Sequence, residues 1–381
     1  MSVGQSQDRG RGATTRTRRR WWLGTLAVLM AAATLAWTLV GLTSSPAPTG
    51  AGPQGAINRF FARYVRSDGR VVRTDQGGDT VSEGQAYAML LAVASGSRTR
   101  FTRVWGWTQQ HLQQPSGLLA YHWSGGRVVS TTPAADADLD AAWALALASS
   151  RWDDPAYAHA GSRIAAAILA REVATRNGRP LLVAGPWARG TPGWVDPSYF
   201  SPLAYAVLGR LTSDPRWNEL AASSRRVLGR LTAGGRLPPD WAALSPSGVV
   251  LPSAGPDGAA APTYGLDAAR SLVWYATACK PADRALAGGE WPVLSHLASN
   301  HRFPIKVSLA GHSRSGDVNP LMAVADAASA TATGDKAKGL SLLDTAGRLN
   351  RSHHTYYGSA WVALGRVLLQ TSSLGSCGGL G

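Results

Sequence analysis

The strongest constraint on the fold of this chain is a set of alanine-rich helical stretches that have no polar face. Between residues 56 and 371 apolar side chains recur at spacings of three and four, and Gly, Pro or Asp-Pro interrupts them. The spacing predicts twelve helices, over residues 57–66, 83–95, 101–113, 137–149, 155–173, 198–210, 215–232, 267–279, 284–298, 319–333, 336–349 and 355–370. Those at 83–95, 137–149 and 267–279 are small and apolar all round, so each has to be covered on every side. Others, such as 215–232 with Arg225, Arg226 and Arg230, carry a charged face. Six buried helices ringed by six amphipathic ones make an all-α (α/α)6 barrel. An α-solenoid is the alternative, but no fixed-period motif supports it. Alternating β-branched runs are too short and few for a large sheet.

Ahead of the barrel, Arg18-Arg19-Arg20 precedes residues 21–42, a stretch without charge and rich in Ala, Leu, Val, Trp and Thr. As a helix it would be roughly 33 Å long, enough to span a bilayer core. The arginines would stay in the cytoplasm and Trp21-Trp22 at the interface. A cleaved signal peptide normally has a shorter apolar run and a small-residue cleavage site, where this chain has Ser44-Ser45-Pro46-Ala47. The reading is therefore a basic tail (1–20), a single N-terminal transmembrane helix (21–42) and a Pro/Gly/Ser linker (43–55). A catalytic domain (56–371) facing outside the cell and a Gly-rich tail (372–381) follow.

The formal charge is +15, of which Arg9, Arg11, Arg16, Arg18, Arg19 and Arg20 against Asp8 put about +5 in the first twenty residues. The remaining excess is arginine rather than lysine, and no run interleaves it with aromatics, so no nucleic-acid partner is expected. Cys279 and Cys377 lack CxxC spacing, which argues against a cysteine metal site. In an exported chain they permit one disulfide, tying the Gly-rich tail to the body.

After residue 56 the chain has only four glutamates, and three of them, Glu172, Glu219 and Glu290, have surface-like neighbours. Glu83 instead opens an apolar helix in Thr80-Val-Ser-Glu-Gly-Gln-Ala-Tyr87, with Ser82 or Thr80 as its expected cap. Taken alone it reads as a glutamate complementing a helix dipole. Two other apolar helices open on carboxylates too. Asp136 stands in Ala134-Ala-Asp-Ala-Asp-Leu-Asp140, which has more aspartates than one cap needs, and Asp267 in Tyr264-Gly-Leu-Asp-Ala-Ala-Arg270. If these helices form the parallel inner ring of a barrel, Glu83, Asp136 and Asp267 converge on one cleft. Glycoside hydrolysis needs such a group, with one carboxyl as acid and another activating water or attacking the sugar. Histidines at ligand spacing are missing nearby, so neither a metal nor another cofactor is expected.

In order and spacing these segments resemble glycoside hydrolase family 8, the bacterial endoglucanases and cellulases. Val81-Ser-Glu-Gly-Gln-Ala-Tyr87 is similar to the family's acid motif, and Ala134 to Asp140 to its aspartate signature. Phe101-Thr-Arg-Val-Trp-Gly-Trp107, Leu119-Ala-Tyr-His-Trp123, Asp196-Pro-Ser-Tyr-Phe-Ser-Pro202, Leu237-Pro-Pro-Asp-Trp241, Tyr264 to Arg270 and the pair Tyr356-Tyr357 match further segments. The resemblance implies an inverting mechanism with Glu83 as general acid, Asp267 as general base and Asp136 touching the sugar at the scissile bond. It places Arg270 where it orients that base or binds substrate, and puts Tyr199 and Tyr264 inside substrate-binding segments. Ala135 and Ala141 depart from the family's hydroxyl and bulkier residues, which bears on substrate preference; Trp152 keeps the closing tryptophan of the signature.

Fifteen tryptophans are many for this length, and sugar faces stack on aromatics. Trp107, Trp123, Trp194 and Trp241 are candidate platforms, whereas Trp143 is expected in the core. Asp136 is also expected to raise the pKa of Glu83 by like-charge repulsion. The implied substrate is cellulose or a mixed-linkage β-glucan, with xylan next; a basic domain does not suit cationic chitosan. The other readings are a polysaccharide-binding protein on the same barrel, or a membrane-tethered accessory of cellulose-synthesis machinery. A monomer is expected.

Overall fold

The computed structural model describes residues 52–258, 261–299, 302–375 and 377. The chain separates into Met1–Thr49 and Gly50–Gly381. The expected membrane helix at 21–42 therefore lies outside the described residues, and no helix among those described is long and apolar enough to cross a membrane.

Thirteen α-helices are described. In chain order they are α1 (Pro53–Tyr64), α2 (Ser82–Ala94), α3 (Arg98–His111), α4 (Ala135–Trp152), α5 (Pro155–Arg171) and α6 (Pro202–Thr212). There follow α7 (Arg216–Leu231), α8 (Leu266–Ala276), α9 (Pro281–Gly289), α10 (Trp291–Ser299), α11 (Pro320–Ala332), α12 (Lys336–Ser352) and α13 (Tyr356–Gln370). Helices α2, α4, α6, α8, α11 and α13 form the inner ring. Each packs on the next, and α13 returns to α2 to close it. The expected all-round burial holds for α2, α4 and α8, and it extends to α11 and α13, where almost every residue is buried. Arg366 is tolerated inside α13 because it donates to Asp344 Oδ1 at 2.8 Å and to the Leu343 carbonyl at 3.1 Å.

The single helix expected at 284–298 is two helices. Pro292 has no backbone N–H to bond to the Gly288 carbonyl, so the first helix ends at Gly289 and Pro292 stands in the first turn of the second, where a missing donor is tolerated. The helix expected from residue 198 starts at Pro202, with the Ser201 side chain accepting from Ala204 N, because Asp196 first forms a turn by accepting from Ser198 N at 2.8 Å.

Among the described residues ten short strands in four small antiparallel sheets decorate the loops. β1 (Thr80–Val81), β2 (His122–Ser124) and β3 (Arg127–Ser130) form one, and β4 (Val173–Arg176) and β5 (Arg179–Leu182) a hairpin. β6 (Gly193–Val195), β7 (Trp241–Leu244) and β8 (Val250–Ser253) form the third, and β9 (Tyr264–Gly265) pairs with β10 (Lys306–Val307). A disulfide joins Cys279 to Cys377.

Two glutamates with surface-like sequence neighbours are in fact buried, Glu172 fully and Glu290 to 3% exposure. Glu172 caps the C-terminal end of α5 and turns inward toward Asp138, although Arg171 beside it is exposed.

Candidate active site

Three inner helices bring their first turns together, and one arginine collects the carboxyls they carry. Arg270, on the second turn of α8 and 2% exposed, donates from Nη1 to Glu83 Oε2 at 3.3 Å, Asp136 Oδ2 at 2.8 Å and the Tyr87 hydroxyl at 3.2 Å. Its Nη2 reaches Asp267 Oδ1 at 3.0 Å and lies 3.5 Å from Asp196 Oδ2. The convergence expected for Glu83, Asp136 and Asp267 is therefore present in the structure. The Asp267 side chain is 42% exposed, that of Glu83 19%, and that of Asp136 9%, so the three grade from open cleft to floor.

Below them the floor is aromatic. Tyr87 packs edge-on against Trp361 at 5.4 Å, Trp361 against Trp274 at 5.2 Å, and Trp274 against Trp143 at 5.8 Å. Trp143 is a core residue, as expected. This dry floor penalises charge above it. Burial pushes the Glu83 carboxyl up to about 8; Arg270 opposes the shift, and Asp136 and Asp267 add to it. Burial thus dominates, and the expected repulsion from Asp136 is a contributing cause. The carboxyls of Asp136 and Asp196 are also raised, again chiefly by burial.

The supports are long-range. Val81, not Ser82 or Thr80, caps α2, and it makes no side-chain bond. Thr80 Oγ1 instead donates to the Val71 carbonyl at 2.6 Å. The first turn of α8 is held by Asp240, which accepts from the backbone N–H of Gly265 and Ala268, each at 2.9 Å, and from Thr263 Oγ1 at 2.9 Å. Asp75 accepts the Tyr356 N–H at 3.1 Å, which places the Tyr356 hydroxyl 3.5 Å from Glu83 Oε1. Helix-start reasoning reached none of Asp196, Asp240, Asp75 and Tyr356; three of them stand in segments that carry the family resemblance, and sequence reasoning missed Asp75 altogether. The Asp-Pro-Ser turn around Asp196 was a local signal, whereas nothing local connects Asp240 with Gly265.

The aromatic candidates divide. Tyr199 lies beside Arg270, whose Cζ is 5.3 Å from its ring centroid. Trp241 is half-buried near the exposed Trp187, at 6.3 Å, and Trp194 is half-buried on the neighbouring strand. Trp123 is half-buried, with the Arg70 guanidinium 4.0 Å over its ring. Trp107 is 6% exposed and meets Trp123 edge-on at 5.5 Å, so it backs that ring more than it offers a face of its own. Tyr264 is a correction. It is fully buried, so it presents no surface to the cleft. Ala135 and Ala141, the two departures from the family pattern, are both fully buried.

A closed ring of helix pairs with carboxyls gathered at the inner N-termini defines an (α/α)6 barrel with an acid-lined cleft. The chain belongs to glycosyl hydrolases family 8, which it matches over residues 15–370. It is 34% identical over 208 residues to an endoglucanase of Cellulomonas uda, covering 52% of this chain and 58% of that one. It is 31% identical over 198 residues to an endoglucanase of Escherichia coli strain K12, covering 49% and 53%. The chain thus spans between half and three fifths of these relatives' length. The structure of an endo-beta-1,4-glucanase from Acetobacter xylinum superposes with a TM-score of 0.70 at 25% identity, over 84% of this chain and 98% of that one. An endoglucanase from Klebsiella pneumoniae gives 0.65 at 26% identity, over 81% and 97%.

Proposed function

We propose that the protein is an inverting, endo-acting glycoside hydrolase that cleaves β-1,4-linked glucan, cellulose or a mixed-linkage β-glucan. Glu83 protonates the leaving glycosidic oxygen, Asp267 takes the proton of the attacking water, and Asp136 holds the sugar at the scissile bond. Arg270 fixes the three relative to one another, and Tyr199, Trp123 and Trp241 bind the chain.

The observation that carries this reading is a pair of carboxyls in opposed environments around one arginine. Glu83 keeps its proton up to about pH 8, as an acid must, while Asp267 faces solvent, as a base that activates water must. The guanidinium standing between them favours the wider, water-spanning geometry of inversion, about 6.5–9.5 Å between carboxyls, over the closer pair of retention. The endoglucanase names of the relatives support a β-1,4-glucan. The Cys279–Cys377 disulfide supports an oxidising compartment, in keeping with an outward-facing domain on a membrane anchor at residues 21–42.

The test is release of reducing ends from carboxymethylcellulose, lichenan, xylan and chitosan, with Glu83→Gln as control and the product anomer followed by NMR. Release from a β-glucan, inverted at C1 and abolished by Glu83→Gln, is expected. No release from any substrate, or a Glu83→Gln variant as active as wild type, would overturn the assignment.

A further inference from the structure

Away from the acidic cleft, the β4–β5 hairpin, α7 and the β7–β8 turn enclose a cavity of about 40 Å³ whose walls include Arg176, Arg179, Arg226 and Arg230 and no carboxylate. Arg176 and Arg179 are register partners on adjacent strands. Arg226 and Arg230 are one turn apart on α7. Each arrangement sets like charges side by side and is unfavourable without a counter-charge. Among the described residues none of the four takes part in an ion pair. Arg176 donates to the carbonyls of Thr175, Arg189 and Gly190, and Arg226 to Ser223 Oγ at 3.0 Å.

The walls are built to stay in place. The β4–β5 turn is Asn177-Gly178, with φ of 49° and 69°, the two-residue turn whose twist suits a hairpin. Asn177 Nδ2 donates to the Ser247 carbonyl at 2.7 Å and ties this hairpin to the β7–β8 turn. At Gly248 in that turn, a Cβ would stand 3.3 Å from Arg176 Cβ, so a bare backbone lets the two hairpins close up at the cavity.

We propose that this four-arginine cavity is a binding site for a single small oxyanion, the phosphate or carboxylate group that planar guanidinium forks recognise. A bound water needs roughly 10–15 Å³, so about 40 Å³ takes one small anion and excludes a sugar ring. Leu244, which lines the cavity, stands three residues along β7 from Trp241, about 10 Å away. An acidic substituent on a glycan passing Trp241 is therefore one source of the anion, and free phosphate is the other.

The test uses the full-length protein at low ionic strength, because Arg179, Arg226 and Arg230 are exposed and salt screens them. Inorganic phosphate and glucuronate are titrated separately by calorimetry, with chloride at matched ionic strength as control. Saturable binding of at least one of them, one per chain, is expected, with a rise in Tm of about 2–4 °C at excess anion. Arg179→Gln/Arg230→Gln should abolish binding and leave the anion-free Tm equal or higher, since it removes like-charge contacts. No saturable binding of either anion, or equal binding by the variant, would overturn the proposal. KM then identifies the source. A several-fold rise in the variant on carboxymethylcellulose, with KM on neutral lichenan unchanged, assigns the anion to the glycan. Unchanged KM on both assigns it to free phosphate. The binding arm reads no catalysis, so it stands whether or not the hydrolase assignment does.

Discussion

Asp136→Asn isolates the electrostatic part of the site from its shape. Asparagine preserves the volume and can still accept from Ala137 N, as Asp136 Oδ1 does at 2.8 Å. What it removes is a negative charge close to Glu83. Both carboxyls are bonded to Arg270 Nη1, at 2.8 and 3.3 Å, so their oxygens are no more than about 6 Å apart. At an effective dielectric near 20, two charges about 6 Å apart interact by about 3 kcal/mol, or roughly two pKa units. The loss acts in one direction only, because Arg270, without its nearest carboxylate, turns more of its field on Glu83, and both changes favour the glutamate anion. The Glu83 carboxyl should therefore fall from about 8 toward roughly 6. An acid catalyst works only while protonated, so its pKa sets the alkaline limb of the pH–rate profile. The expected result is a drop in kcat/KM together with an alkaline midpoint moved down by one to two units. A lowered rate with an unmoved midpoint would show that Asp136 only holds sugar and that burial alone keeps the proton on Glu83.

Three further outcomes follow from named contacts. A Cβ on Gly84 would lie 2.5 Å from the Tyr356 hydroxyl, so Gly84→Ala should push that ring off Glu83 and lower kcat by on the order of 10–100-fold with KM little changed; unaltered kcat would refute the positioning. Burial raises Glu290 to about 8, so it favours the folded state below its ordinary pKa of 4.5, and this contribution is lost as pH rises through 8. Glu290→Gln should consequently gain on the order of 3–5 kcal/mol over wild type between those limits in urea unfolding, and parallel curves would contradict it. The Cys279–Cys377 bridge spans 98 residues of sequence, so Cys279→Ser/Cys377→Ser should lose about 2–4 kcal/mol and several degrees of Tm, with kcat at 25 °C unchanged.

Local pattern carried most of the ring and only part of the site. Helices such as α2 and α8 were legible because alanine and leucine on every face leave no room for a solvated side. Their opening carboxylates were legible for the same reason, since Glu83 and Asp267 stand out against apolar surroundings. The break at Glu290 was written in Trp291-Pro292, but an apolar periodicity that resumes in phase masked it. Glu172 and Glu290 were misjudged because a neighbouring arginine or glycine says nothing about the direction of a side chain at a helix end. Tyr264 was misplaced by adjacency, since it precedes Asp267 by three residues but is fully buried on β9, whereas Asp267 opens α8 with its side chain 42% exposed. Asp240 stood in a segment that carries the resemblance, but its role was beyond local reading. Its partners Gly265 and Ala268 lie 25 and 28 residues away and meet it only once β7 and α8 are packed.

The return of α13 to α2 makes one end of the carboxyl cluster depend on the last described helix. Tyr356 reaches Glu83 across 273 residues of chain. The opening turn of α2 is met by Arg270 and by the strand pairing of β1 with β2, and docking of residues 356–370 adds the Tyr356 contact. The aromatic floor below Glu83 is likewise incomplete without Trp361, which lies between Tyr87 and Trp274. Proteolytic loss of that one helix would therefore open the surroundings of Glu83 while leaving Glu83, Asp136 and Asp267 all in the sequence.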